Sequence, residues 1–139
     1  MAGTFALRIV SPTGDLLNED VEFVVLPSDL GELGILPNHA PLIAGLDIGV
    51  IRYTKESKIN RVANAGGFVE VNNNTVTVLS DTAELSEDID VERARRAKER
   101  AMKRLAERKD SKDTTEIDVK RAEVALRRAA TRIKAVEDK

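Results

Sequence analysis

Over roughly the first 87 residues, apolar positions alternate in short runs broken by turn-forming residues. The runs are Phe5–Val10, Val21–Leu26, Gly49–Thr54, Ile59–Ala63, Phe68–Val71 and Val76–Val78. Ser11-Pro12-Thr13-Gly14-Asp15, Pro27-Ser28 and Asn72-Asn73-Asn74 stand between them, the last as a hairpin turn. Several short strands at close spacing predict an antiparallel β-sandwich or barrel. From residue 88 the pattern changes. No Gly or Pro follows, and Ala, Arg, Lys and Glu dominate, all strong helix formers. Two helices are expected, joined by the short polar turn Lys109-Asp110-Ser111-Lys112-Asp113, which makes them antiparallel neighbours. Asp88 or Asp90 suits the N-cap of the first helix, and Thr115 with Asp118 resembles a capping box for the second. The second helix has a heptad seam: Val119, Ala122, Leu126, Ala129, Ile133 and Val136. The first offers Val91, Ala94, Ala101 and Leu105, with Lys98 where a fifth apolar residue belongs. Seams so rich in Ala bring helices close but bury little area. At about 25 cal/mol per Å² the hairpin has little stability of its own, so it is expected to detach, extend or repack.

Charge divides the chain at the same place. Residues 1–87 carry 5 Lys+Arg against 12 Asp+Glu, whereas residues 88–139 carry 17 against 12. An acidic sandwich (1–87) and a basic hairpin (88–139) suggest two units with different partners. There is no Cys, which excludes disulfides, thiolate metal sites and Cys nucleophiles, and a single His argues against a His-based metal site or a Ser-His triad. No paired acid and base, metal cluster or nucleophile–base set is evident, so no catalytic residues are expected. The opening MAGTFALRIV lacks a basic segment followed by a long apolar run, and no apolar stretch approaches the ~20 residues needed to span a bilayer. A soluble, cytoplasmic protein that meets a membrane only through a partner is expected. Gly66-Gly67 has no Lys-Ser/Thr pair or helix start after it, so it reads as backbone geometry rather than a phosphate loop.

The arginines are the candidate chemistry. Arg93 and Arg100 are seven apart, and Arg128 and Arg132 four apart, so each pair shares a helix face. A closed hairpin would gather both pairs around one groove, and guanidinium forks suit phosphate oxygens. On the residues alone, a solvated basic face with i,i+4 salt bridges is the plainer reading.

Three stretches change that weighting. Gly31-Glu32-Leu33-Gly34-Ile35-Leu36-Pro37-Asn38-His39-Ala40-Pro41-Leu42, Gly66-Gly67-Phe68-Val69-Glu70-Val71 with Val76-Thr77-Val78-Leu79, and Ile89-Asp90-Val91-Glu92-Arg93-Ala94 resemble the ε subunits of bacterial and chloroplast F-type ATP synthases. The resemblance spans essentially the whole chain in the right order. It implies a sandwich of about ten strands carrying a two-helix domain, in a non-catalytic subunit of a proton-translocating rotary enzyme at the cytoplasmic face of the bacterial cell membrane. The sandwich would sit on the central γ stalk and touch the c-ring. The helices would lie folded against it, or extend among the α and β subunits and block rotation. In several bacterial members ATP holds the hairpin down. The third stretch looks like the family's nucleotide motif, which points to an ATP site of Glu84, Ile89, Asp90, Arg93, Ala94, Arg100, Arg128 and Arg132, the role of Mg²⁺ being open. Arginines would hold phosphates, Asp90 and Glu84 would accept from adenine amine or ribose hydroxyls, and Ile89 and Ala94 would touch the base. Arg95, Arg96 and Arg121 look aimed at acidic segments of β. Glu32 and His39, in a Gly/Pro-rich loop, would face the c-ring, although a local hydrogen bond is the plainer role for His39. Two other readings compete. One is a structural rotor adaptor that never meets ATP. The other is a nucleic-acid binder using the basic hairpin, disfavoured by the near-neutral total charge and the lack of helix aromatics for stacking.

Overall fold

A computed structural model of the chain describes residues 3–109 and 115–137. The turn expected at residues 109–113 therefore lies almost wholly outside the described residues.

Eight strands make one continuous hydrogen-bonded sheet: β1 (Phe5–Ser11), β2 (Gly14–Val21), β3 (Phe23–Ser28), β4 (Gly31–Ile35), β5 (Leu42–Lys55), β6 (Lys58–Asn72), β7 (Thr75–Ser80) and β8 (Ala83–Leu85). Its order is β2-β1-β7-β6-β5-β3-β4, with β8 also on β6. Two strands are long enough to serve both layers. The first part of β5 (residues 42–46) pairs with the end of β6, which continues through β7 to β1 and β2; the rest of β5 pairs with the start of β6, flanked by β8 and β3. The ladder breaks between Leu46↔Gly67 and Ile48↔Ala65. There Gly66 and Gly67 adopt φ of +96° and +125°, and a Cβ on Gly67 would lie 2.0 Å from the Leu79 carbonyl oxygen. Only glycine lets β6 turn this corner against β7. The sharing of β5 and β6 between layers gives eight strands where the resemblance implies about ten. All adjacent pairs are antiparallel except β1 with β7, which run parallel.

One core joins the layers. Leu7, Ile9, Val69, Val76 and Val78 from one side meet Val24, Leu26, Ile35, Ile51 and Val62 from the other, all essentially inaccessible. Asn73 and Asn74 make the β6–β7 turn with φ of 50° and 57°, and Glu56 and Ser57 turn β5 into β6 with φ of 50° and 67°. Positive φ at both central residues matches the twist of antiparallel strands, and Asn tolerates it.

A 3₁₀ turn (Ser86–Asp88) leads into α1 (Val91–Lys109), and α2 (Glu116–Glu137) returns along it. Asp90 caps α1, its Oδ1 accepting the Arg93 N–H at 3.1 Å; Thr115 Oγ1 accepts the Asp118 N–H at 3.2 Å. The fully buried residues of both helices are alanines: Ala94, Ala101, Ala122, Ala129 and Ala135. Val119, Leu126, Ile133, Leu105 and Lys98 are only half-buried. The seam is thus close and thin, as its composition implies. α2 rests on the outer face of the sandwich, where Ala135 packs on Ala63 and Ile89, flanked by Val50 and Val136. Arg127 lies 2.9 Å from Asp47 at the corner of β5 and donates to the Ile48 carbonyl at 3.4 Å.

Candidate functional site between the hairpin and the sandwich

The end of β8, the 3₁₀ turn and the start of α1 run consecutively, and α2 crosses them. Between them opens a cleft of about 430 Å³ lined by Glu84, Asp88, Asp90, Arg93, Ala94, Ala97, Arg100 and Arg132. Arg93, Ala97 and Arg100 follow at intervals of four and three, which puts them on one face of α1. Arg132 reaches the cleft from α2, and its Nε donates to Glu84 Oε1 at 2.7 Å. Both side chains of that pair are about one-third exposed. Three guanidinium groups and three carboxylates thus share the lining. Such a lining offers forked donors to an anion and acceptors to amine or hydroxyl groups in the same space.

Six of the eight residues assigned to nucleotide from the sequence line this cleft: Glu84, Asp90, Arg93, Ala94, Arg100 and Arg132. The other two lie elsewhere. Ile89 is buried in the small apolar cluster with Ala63 and Ala135. Arg128 lines a much smaller crevice beside Arg132, over Ala63, Asn64 and Ala65. Ile89 therefore helps seat α2, because an apolar residue between the strand and the first helix gains more from that cover than from an open cleft. Asp88 and Ala97 were not expected in the lining. Ala97 is legible as the residue four after Arg93; Asp88 follows only from the path of the 3₁₀ turn.

Arg95, expected to face an acidic partner, is engaged within the hairpin. It pairs with Glu92 on its own helix at 2.6 Å and with Glu137 at the end of α2, which holds it above the usual arginine range. It ties the start of α1 to the end of α2 rather than standing free on the hairpin surface.

Glu32 and His39 occupy different neighbourhoods. Glu32 lies in β4, not in a loop, beside the turn of residues 28–31, whose tip residue Leu30 is fully exposed. Both Glu32 carboxylate oxygens accept from Arg52 at 3.2 Å. The hydrogen bonds and charge of Arg52 hold its carboxyl below the usual carboxylate range, with a smaller contribution from Lys134 on α2. His39 Nδ1 donates to the neighbouring Ala40 carbonyl at 2.7 Å, and Asn38 donates its N–H to Asn74 Oδ1 at 2.7 Å. The His39 segment is tied to the β6–β7 turn instead. Among the described residues no group of acids and imidazoles is placed to hold a metal ion, and no helix is long and apolar enough to cross a membrane.

A bent sandwich with a thin, two-helix hairpin laid along one face defines a two-part protein. Comparison with known proteins gives the family. Residues 4–86 match the beta-sandwich domain of the ATP synthase delta/epsilon chain, and residues 87–137 match its long alpha-helix domain. The ATP synthase epsilon chain of Desulfitobacterium hafniense (strain Y51) is 58% identical over 138 residues, covering 99% of this chain and 100% of that protein. That of Desulforamulus reducens is 51% identical over 137 residues, with 99% and 100% covered. A chain in the cryo-EM structure of the Euglena gracilis mitochondrial ATP synthase has the same fold, with a TM-score of 0.77 at 23% identity over 94% of this chain and 80% of that one. The chain belongs to the delta/epsilon family of ATP synthase subunits.

Proposed function

We infer that this chain is the non-catalytic epsilon-type subunit of a bacterial rotary ATP synthase, coupling the catalytic head to the ring in the membrane and braking ATP hydrolysis through its hairpin. In this reading the sandwich binds the γ stalk and, through the Glu32 side, the c-ring at the cytoplasmic face of the membrane. The hairpin opens, extends toward the α and β subunits and stops rotation. ATP in the cleft holds the hairpin closed. The observation that carries the ATP-sensing part is the convergence of Glu84, Asp90, Arg93, Ala94, Arg100 and Arg132 on one cleft with walls on β8, α1 and α2. A ligand touching all three elements binds the closed form better than the open one, and so shifts the population toward closed. The thin alanine seam supports the braking part, because a hairpin with so little buried area opens at small cost.

Two measurements test the reading together. ATP titration of the full chain, followed by a distance label pair between β2 and α2, is expected to shorten the distance saturably. A chain ending at Ser86 is expected to keep the sandwich's circular dichroism signature on its own and, in the assembled enzyme, to raise ATP hydrolysis. An ATP-insensitive distance would reduce the subunit to a structural adaptor. Unchanged or lower hydrolysis after truncation would remove the brake.

A further inference from the structure

A second cavity, outside the cleft, lies where β5 turns into β6 and the end of α2 passes over. It has a volume of about 510 Å³, and its lining includes Ser57, Asn60, Arg61, Ser86, Ala135 and Val136. No carboxylate lines it, in contrast to the three in the cleft. Arg61 is the cationic group of this lining, and its situation is unusual. The residue directly across the ladder is Arg52, and like charges facing each other on a sheet repel. Arg52 is neutralised by Glu32 through two hydrogen bonds. Arg61 has no such carboxylate among the described residues, and its Nε is buried without a hydrogen-bond partner. A buried donor left unpaired in a folded protein calls for a missing partner.

Neutral donors surround this charge. Ser57 and Ser86 bring hydroxyls. The Asn60 amide donates to the Lys58 carbonyl at 3.3 Å and keeps a second N–H. The nearby acids are Glu22, which accepts the Ser57 backbone N–H at 3.2 Å, Glu56, next to Ser57, and Glu87, next to Ser86; none of them lines the cavity. We propose that this cavity is an anion site for a phosphate group, centred on the Arg61 guanidinium and completed by Ser57, Asn60 and Ser86. Because Ala135 and Val136 of α2 form one wall, the site is whole only with the hairpin closed. Bound phosphate therefore favours the closed form, separately from any ligand in the cleft.

The test uses the full chain and inorganic phosphate, with ionic strength held constant by sodium chloride. Amide NMR resonances of Ser57, Asn60, Arg61 and Ser86 are expected to shift saturably, and the distance between labels on β2 and α2 to shorten. Arg61→Gln is expected to weaken phosphate binding at least tenfold, whereas Arg96→Ala, at an exposed position of α1 outside both cavities, leaves it unchanged. Arg61→Lys keeps the charge without the fork and falls between; it carries the comparison if Arg61→Gln disturbs the core resonances of Val69 and Val76. ADP added to the Arg132→Ala protein distinguishes the source of the anion. Shifts at the same amides assign the site to nucleotide-borne phosphate, and their absence assigns it to the free ion. Equal shifts with chloride, equal affinity in Arg61→Gln, or shifts confined to Arg93, Arg100 and Arg132 would overturn the proposal.

Discussion

Replacing Arg132 with Ala separates the two roles that converge on that side chain. In the closed hairpin its Nε donates to Glu84 at 2.7 Å, and it lines the cleft opposite Arg93 and Arg100. The Glu84 pair is about one-third exposed on both sides, so solvent screening leaves it worth no more than about 1 kcal/mol of docking energy. Its loss alone opens the apo hairpin by at most about fivefold. A charge-assisted hydrogen bond to phosphate is larger, about 1.5–3 kcal/mol. At about 1.4 kcal/mol per tenfold change, Arg132→Ala is expected to weaken ATP binding by between about tenfold and somewhat over a hundredfold. Glu84→Ala, which removes the docking pair but keeps the guanidinium, separates the two terms. It should open the apo hairpin as much as Arg132→Ala does, while losing less ATP affinity. Arg96→Ala, on an exposed position of α1, is the control. Arg95 is unsuited to that part because it ties α1 to Glu137. Calorimetry gives the affinities, and a label pair between β2 and α2 gives the open fraction with and without ATP. Equal ATP affinity in the parent and Arg132→Ala chains would place the phosphates elsewhere. If none of the proteins binds ATP, the cleft arginines are a solvated basic face.

Other predictions rest on separate parts of the molecule. Gly67→Ala puts a side chain at φ +125°, 2.0 Å from a carbonyl oxygen, and is expected to destabilise the sandwich by at least about 2 kcal/mol; urea unfolding checks this, with Gly3→Ala, which meets nothing within 4 Å, expected to be neutral. A Cys replacing Glu32 is expected to crosslink to the polar loop of the c subunit in the membrane-bound enzyme, and crosslinks to α or β alone would contradict that orientation. The Asp47 carboxyl is held below its ordinary value, first by the Ile48 backbone N–H and then by Arg127. The Ile48 bond stays within the sandwich when the hairpin opens, so only the Arg127 part of the depression belongs to docking: it stabilises the closed form above the open-form value and is lost as pH falls through the lower closed-form one. The hairpin of the parent chain should therefore open further below about pH 4, while that of Asp47→Asn, already more open at pH 7, should change less over the same range. Equal acid responses in the two proteins would remove Asp47 from the dock.

Much of this protein is local and therefore legible in the sequence. The alternating runs at Phe5–Val10 and Val76–Val78, the Asn73-Asn74 turn, the Asp90 and Thr115 caps and the alanine seams all depend on residues within a few positions of one another. Backbone sterics, capping hydrogen bonds and side-chain periodicity act over that distance. The family motif also pointed to eight candidate residues for nucleotide, six of which line one cleft. What the tertiary structure alone decided involves partners far apart in the chain. The separate runs Ile59–Ala63 and Phe68–Val71 are one strand, because Gly66 and Gly67 let β6 bend against Leu79 instead of ending. Ile89 left the cleft for the cluster with Ala63 and Ala135, since burial rewards whichever apolar surface lies nearest in space. Arg132 found Glu84, Arg127 found Asp47 and Arg95 found Glu137, while Arg61 was left facing Arg52. A charge's partner is chosen by the docking of α2 on the sandwich, over separations that no sequence spacing encodes.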